Sequence, residues 1–332
     1  MNANKDDAFL WRKEGKRFEI GGEDDVGISA MMAVDNSMLF VTRKSIYMVQ
    51  LADSIDPNRT NASIPDVKQK ILSYGSDDYL VGRTLLQANI LFQPHCLGSQ
   101  IECPSAVNIA LSFLKEITSL HELATAYISD ESTKNSLFTG GTGDDLSLSL
   151  PSIDKVEQKV KQFVINADHA VRHLIELTQL FYPEIKNESW SKALMEKLKR
   201  EKGEDAPATL FVAEINPTMW LARNLRNAVE HPKQDDRVKT ENYRLTESGK
   251  VKIPSIQYVH METPLSEMPV SQFMSLTVEN LLTSFEELMA HLCNIHAAPF
   301  GGDKRSVVEM PEANRNPSEA HVRFGYQIDW TK

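Results

Sequence analysis

Hydrophobic and polar positions along the chain fall into segments of two different periods. Residues 27–34, 38–43 and 45–52 are short runs rich in Val, Ile, Met, Phe and Tyr. Asp35-Asn36-Ser37 and Arg43-Lys44 separate them as polar turns. Short apolar runs bounded by such turns predict a small antiparallel meander. The polar stretch 53–63 reads as a turn, and 65–74 and 82–93 read as helices. Over 105–128, Val107, Ala110, Leu114, Ile117, His121 and Ala124 recur at spacings of three and four, with Pro104 just ahead. That is the period of a helix with proline at its start. Residues 129–151 read as a linker around Thr139-Gly140-Gly141-Thr142-Gly143-Asp144. The glycines lack the Lys-Ser/Thr ending that a phosphate-cradling P-loop requires.

From 152 onward the helical period is stronger. Ile153, Val156, Val160, Phe163, Ala167, Val171, Leu174 and Thr178 form one stripe. Ser152 is placed to cap that helix and Pro183 to stop it. A shorter, basic helix is expected over 188–202, carrying Lys192, Lys197, Lys199, Arg200 and Lys202. Another is expected to open at Asn216-Pro217 and to stop before Pro232. About 35 residues of strand or hairpin character follow. Over 270–297, Met274, Val278, Leu281, Phe285, Leu288, Leu292 and Ile295 give an unbroken apolar stripe, suited to a bundle or a dimer seam. Val322–Trp330 suggests a last strand. The expected fold is α+β and predominantly α. A small mixed α/β domain spans 1–103, a helix and Gly/Ser-rich linker 104–150, a helical bundle with a hairpin-like insert 151–300, and a C-terminal extension 301–332.

Composition narrows the classes. The chain has 332 residues, 41% hydrophobic and 25% charged, which excludes a mostly disordered protein. Its formal charge of −10 excludes a surface coated with basic residues for nucleic acid. That charge is uneven: residues 1–150 carry 13 basic and 20 acidic side chains, whereas 151–250 carry 17 and 16. A polyanion site is therefore expected in the second stretch. Cys96, Cys103 and Cys293 are few, odd in number and without zinc spacing, which points to reduced thiols and a cytoplasmic location. No signal-peptide pattern opens the chain, and no run of 18 apolar residues calls for a membrane. Asn58-Arg59-Thr60 and Asn61-Ala62-Ser63 match a glycosylation pattern and are read as coincidence.

The chemistry gathers on the helix that ends before Pro232. Projected at about 100° per residue, Leu221, Ala222, Leu225, Ala228 and Val229 share one arc. Arg223, Arg226, Asn227, Glu230 and His231 share the opposite one. Arginine offers a planar donor fork for phosphate, and histidine exchanges a proton near neutral pH. Asparagine can orient an oxygen. These groups suffice for RNA cleavage without a metal or cofactor, with a ribose 2′-hydroxyl as nucleophile. Arg226 and His231 lie five residues apart, however, about 140° around an ideal helix. Their convergence needs the reach of arginine, a loosened last turn or a second copy of the chain. The last alternative makes a homodimer attractive.

Arg226-Asn227-Ala228-Val229-Glu230-His231 resembles the R-N-x3-H form of the R-x(4–6)-H motif of the HEPN superfamily, the higher eukaryote and prokaryote nucleotide-binding domains. The surrounding pattern over about 152–298 resembles it too, with long helices before and after the motif. The resemblance implies a dimeric HEPN-like helical bundle. It also implies a metal-independent endoribonuclease of the kind found in toxin–antitoxin and phage-defence systems. Arg226 and His231 would be the catalytic pair and Asn227 the polar residue beside them. Arg223, Lys233 and Arg237 would steer the RNA backbone.

Other readings compete. Arg226 could simply pair with Glu230, with His231 closing the helix, in a non-catalytic module that binds a nucleotide, RNA or a regulatory protein partner. His169 and His173 have the H-x3-H spacing of a metal pair but no assignable third ligand, so no metal site is expected. His169 or Arg172, if either faced the motif helix, could instead line the same cleft as the motif. Trp190, Trp220 and Trp330 are read as core or interface residues.

Overall fold

A computed structural model describes residues 20–22, 25, 27–138, 148–186 and 189–330. The glycine cluster at 140–143 lies outside the described residues. The fold is α+β and predominantly α. The chain divides into two compact units, Met1–Leu114 with Cys293–Lys332, and Lys115–Leu292.

The first unit opens with the expected meander. Strands β1 (Ile28–Val34), β2 (Ser37–Thr42) and β3 (Ile46–Gln50) pair antiparallel in sequence order. The two-residue link at Asp35-Asn36 puts Asp35 at φ 49°, a left-handed value that aspartate tolerates. Asp25 braces the next turn, where its carboxylate accepts from Thr42 Oγ1 (2.7 Å) and the Lys44 N–H (2.9 Å). These bonds outweigh desolvation and hold its pKa below the usual carboxylate value. Leu39, Val41 and Ile46 are fully buried.

After the single turn α1 (Ala52–Ile55) the chain departs from expectation. Residues 65–74 hold no helix; Val67–Leu72 is a strand, β4, on the free edge of β3. Lys68, Gln69 and Lys70 favour helix intrinsically, but ladder hydrogen bonds to β3 override that weak preference. Exposed lysines are also what an edge strand needs to discourage further pairing.

The expected helix over 82–93 is a continuous helical run. It comprises α2 (Tyr79–Val81), a π turn at Gly82–Leu86 and α3 (Gln87–Leu91). A side chain at Gly82 would collide with His321, so only glycine fits this close approach.

Helix α4 (Cys103–Leu137) is longer than the 105–128 stripe, and much of the expected linker is helical. Its first residues, to Leu114, belong to the first unit and the rest to the second. Helix α5 (Val156–Phe181) follows. Ser152 is not its cap: Lys155 occupies that position at φ 52°, with no side-chain cap bond. Asn242 instead holds the entry, accepting from the Ile153 N–H (3.1 Å) and donating to the Ile153 carbonyl (2.8 Å).

Helix α6 (Trp190–Lys202) is basic in its last turn, where cations suit the helix dipole. Helix α7 (Pro207–Glu230) starts ten residues before the expected Pro217. Proline occupies its first turn at Pro207, where no intrahelical donor is needed. Pro217 stands inside the helix and removes the bond to the Ala213 carbonyl. Both residues are exposed, so water can satisfy that carbonyl and the helix survives.

The insert after α7 contains a three-stranded sheet of β5 (Arg237–Glu241), β8 (Ser255–Val259) and β9 (Leu265–Pro269), in that order. A small pair, β6 (Arg244–Leu245) and β7 (Val251–Lys252), lies within it in sequence. Glu267 accepts from Lys252 (2.5 Å), Ser255 Oγ (2.7 Å) and Arg244 Nη2 (2.9 Å). These donors, Lys252 foremost, pull its pKa down from 4.5 to about 2. A depressed carboxylate stabilises the fold above its unfolded pKa and loses that contribution as pH falls through the folded one. Glu267→Gln should therefore lower the thermal midpoint by a constant amount above about pH 5, with the gap closing towards pH 2. A pH series of paired melting curves reads this. A gap that is constant down to pH 2 would contradict it.

Helix α8 (Val270–Ile295) realises the 270–297 stripe. Leu281, Leu282, Phe285 and Met289 are fully buried, and Phe273 meets Phe163 of α5 edge to face at 5.8 Å. The His291 ring lies tilted against Phe211 of α7, 4.8 Å between centroids, and burial lowers its pKa, favouring neutral imidazole. From Cys293 the chain rejoins the first unit. The expected tail strand is β11 (Phe324–Asp329), paired antiparallel with β10 (Lys304–Glu309). Residues 301–332 are thus part of the first unit rather than a separate extension.

Candidate functional site

The buried face of α7 is its small-residue stripe. Ala222, Leu225 and Ala228 are buried, and α7 packs on α5 and α6. Small side chains let helices approach closely, so long polar side chains beside the stripe reach onto the neighbouring helices. The result is one pocket of about 270 Å³ within the second unit. Arg223, Arg226 and Asn227 line it from α7, Asp168 and Arg172 from α5, and Trp190 and Ser191 from α6. Val171, Ile175, Met219 and Trp220 complete an apolar wall.

The pocket is organised around Asp168, whose side chain is only 9% exposed. One carboxylate oxygen accepts from Arg172 Nε (3.1 Å) and Nη2 (2.8 Å). Arg226 Nε lies 4.0 Å from the same oxygen. Arg226 Nη1 donates to Asn227 Oδ1 (3.1 Å), and Nη2 pairs with Glu230 Oε2 at 2.6 Å. Every nitrogen of this guanidinium therefore faces an acceptor of the same chain. Ser191 Oγ donates to Asn216 Oδ1 (2.6 Å), tying α6 to α7 beside the pocket.

His231 lies elsewhere. It is the residue that closes α7, its backbone N–H donating to the Asn227 carbonyl (2.8 Å). Its side chain is exposed and does not line the pocket. Lys233 exchanges backbone hydrogen bonds with Asp236, and Arg237 opens β5; both are exposed and neither lines the pocket. Of the residues singled out in the sequence, the fold brings Arg223, Arg226 and Asn227 together. It does not bring His231, Lys233 or Arg237 to them within one chain.

Sequence reasoning did not single out Asp168 as the anchor. The i,i+4 spacing of Asp168 and Arg172 was a readable signal for their mutual contact. Nothing local pointed to α6. Trp190 is buried and also forms pocket wall, Trp220 is half-buried, and Trp330 is 67% exposed in the first unit. His169 Nδ1 lies 4.0 Å from Glu116, and His173 Nδ1 lies 2.8 Å from Glu176. The two histidines thus face different carboxylates. Among the described residues, no three His, Cys, Asp or Glu side chains group to hold a metal ion.

Compared with protein-family models, curated proteins and solved structures, the chain shows no significant match. Fold and site together define a predominantly α protein with a pocket lined by both arginine and apolar side chains.

Proposed function

We propose that the second unit is a binding module for the phosphate of a nucleotide or RNA. One observation carries this reading: three arginines and an asparagine from two helices line one pocket together with Trp190 and Trp220. Guanidinium forks match phosphate oxygens, and the apolar wall suits a base or sugar. The volume is near the lower end for small-ligand sites. The chain's −10 charge disfavours indiscriminate polyanion binding, so selectivity comes from the pocket. A cytoplasmic location is part of this proposal, on the sparse and odd count of three cysteines in the sequence. No described helix is long and apolar enough to cross a membrane. The test is a tryptophan-fluorescence titration with a nucleoside monophosphate, the matching nucleoside and a short RNA. A saturable response to the phosphorylated ligands alone is expected. Equal responses to nucleoside and nucleotide, or none, would refute phosphate recognition.

A second reading has its own support, because His231 is exposed at the end of the helix that carries Arg226. In a homodimer, His231 from a second copy could face Arg226, giving a metal-independent HEPN-type endoribonuclease with a toxin or phage-defence role. The 2′-oxygen would attack the adjacent phosphorus and the 5′-oxygen would leave, giving a 2′,3′-cyclic phosphate and a 5′-hydroxyl. His231 would move the proton, and Arg226 would hold the non-bridging oxygens. RNA cleavage in EDTA by wild type but not by His231→Ala would establish it. Equal activity in the two would remove it.

A further inference from the structure

We infer that Glu230 is a built-in latch on the phosphate pocket, occupying Arg226 until a ligand displaces it; this rests on the phosphate-binding reading. Glu230 Oε2 lies 2.6 Å from Arg226 Nη2, on the same helix one turn away. With Asn227 on Nη1 at 3.1 Å, both terminal nitrogens of the fork have an acceptor, and the Asp168 carboxylate lies 4.0 Å from Nε. A phosphate that seeks the Arg226 fork must therefore break a contact the protein already makes. The two anchoring acids differ in place. Asp168 is 9% exposed and lines the pocket, so it belongs to the framework. Glu230 is 28% exposed and lies outside the lining, so its side chain can swing away.

The position of Glu230 supports the same conclusion. It is the last residue of α7, and no basic residue occupies that last turn. An acid there opposes the helix dipole, which offsets part of what its i,i+4 pair with Arg226 contributes to the helix. What it does is neutralise the one arginine with contacts to Asp168, Asn227 and the helix end together. A weak anion meets a paired arginine and a nearby negative charge. A phosphate also engaged by Arg223 and Arg172 gains enough to displace the latch. The device thus sharpens selection against carboxylates and other weak anions.

The test compares wild type with Glu230→Gln, which keeps the shape and removes the charge. Inorganic phosphate and a nucleoside monophosphate are titrated against each by calorimetry. The latch predicts about two- to fivefold tighter binding in Glu230→Gln, the scale of a partly exposed ion pair at close range. The thermal midpoint should change little, since losing the ion pair and relieving the dipole conflict oppose each other. In an Arg226→Ala background the same change should give a smaller gain, because the latch acts through Arg226. Three outcomes would overturn the latch. Weaker or equal binding in Glu230→Gln would make Glu230 a brace. An undiminished gain without Arg226 would make it a general surface charge effect. No binding by either protein would remove the phosphate reading itself.

Discussion

Arg226→Ala is expected to weaken nucleoside monophosphate binding by about 10- to 100-fold, the cost of losing one or two charge-assisted hydrogen bonds. Arg226 is the residue on which the pocket converges, facing Asp168, Asn227 and Glu230 at once. It lines an open pocket, so truncation enlarges that pocket rather than leaving a closed cavity. Alanine is the best helix former, and α7 should remain intact. Arg226→Lys should recover only part of the loss, because an ammonium lacks the planar fork. Paired calorimetry and circular dichroism would separate binding from folding. Unchanged affinity with an intact fold would move the phosphate away from Arg226 and leave the pocket without its proposed ligand.

The largest stability effect is expected in the first unit, from Gln87→Leu. Gln87 is fully buried in α3. Its Oε1 accepts from the backbone N–H groups of Arg323 (2.9 Å) and Phe324 (2.8 Å). Its Nε2 donates to the Phe324 carbonyl (2.8 Å). One amide thus satisfies three backbone groups at the start of β11. Leucine has a similar volume but offers neither donor nor acceptor. Each group left unsatisfied costs about 1–3 kcal/mol when buried, less where water reaches it, so the loss should total about 3–5 kcal/mol. Chemical denaturation of the two proteins measures this. Amide exchange at Arg323 and Phe324 should also accelerate. A change under 1 kcal/mol would mean that solvent replaces all three bonds.

The tertiary structure rearranged the pocket more than the elements. The stripes over 105–128, 152–182 and 270–297 were legible because each is long, strongly periodic and buried on one face. The helix expected at 65–74 failed because Lys68, Gln69 and Lys70 carry little periodicity. The partner that makes them a strand, β3, lies about 20 residues earlier in the chain. Pro217 misled for a related reason. Proline marks a helix start by its missing donor, but an exposed interior position can lose one bond to water and continue. The entry to α5 was assigned to Ser152 by proximity, whereas Asn242, nearly 90 residues away, performs it.

The sequence by itself determined the α-rich fold class, the arginine-bearing face of α7 and the near-neutral charge balance of residues 151–250. All of these follow from spacing along one element or from counting. Only the tertiary structure decided that Asp168 anchors the site, that Arg172, Trp190 and Ser191 from other helices complete it, and that His231 falls outside it. The physical reason is one of angle and distance. A helix places residues four apart on one face, as with Arg226 and Glu230, and residues five apart on diverging faces, as with Arg226 and His231. Which neighbours then close around that face depends on the packing of α5 and α6 against small residues on α7, and no local pattern encodes that packing.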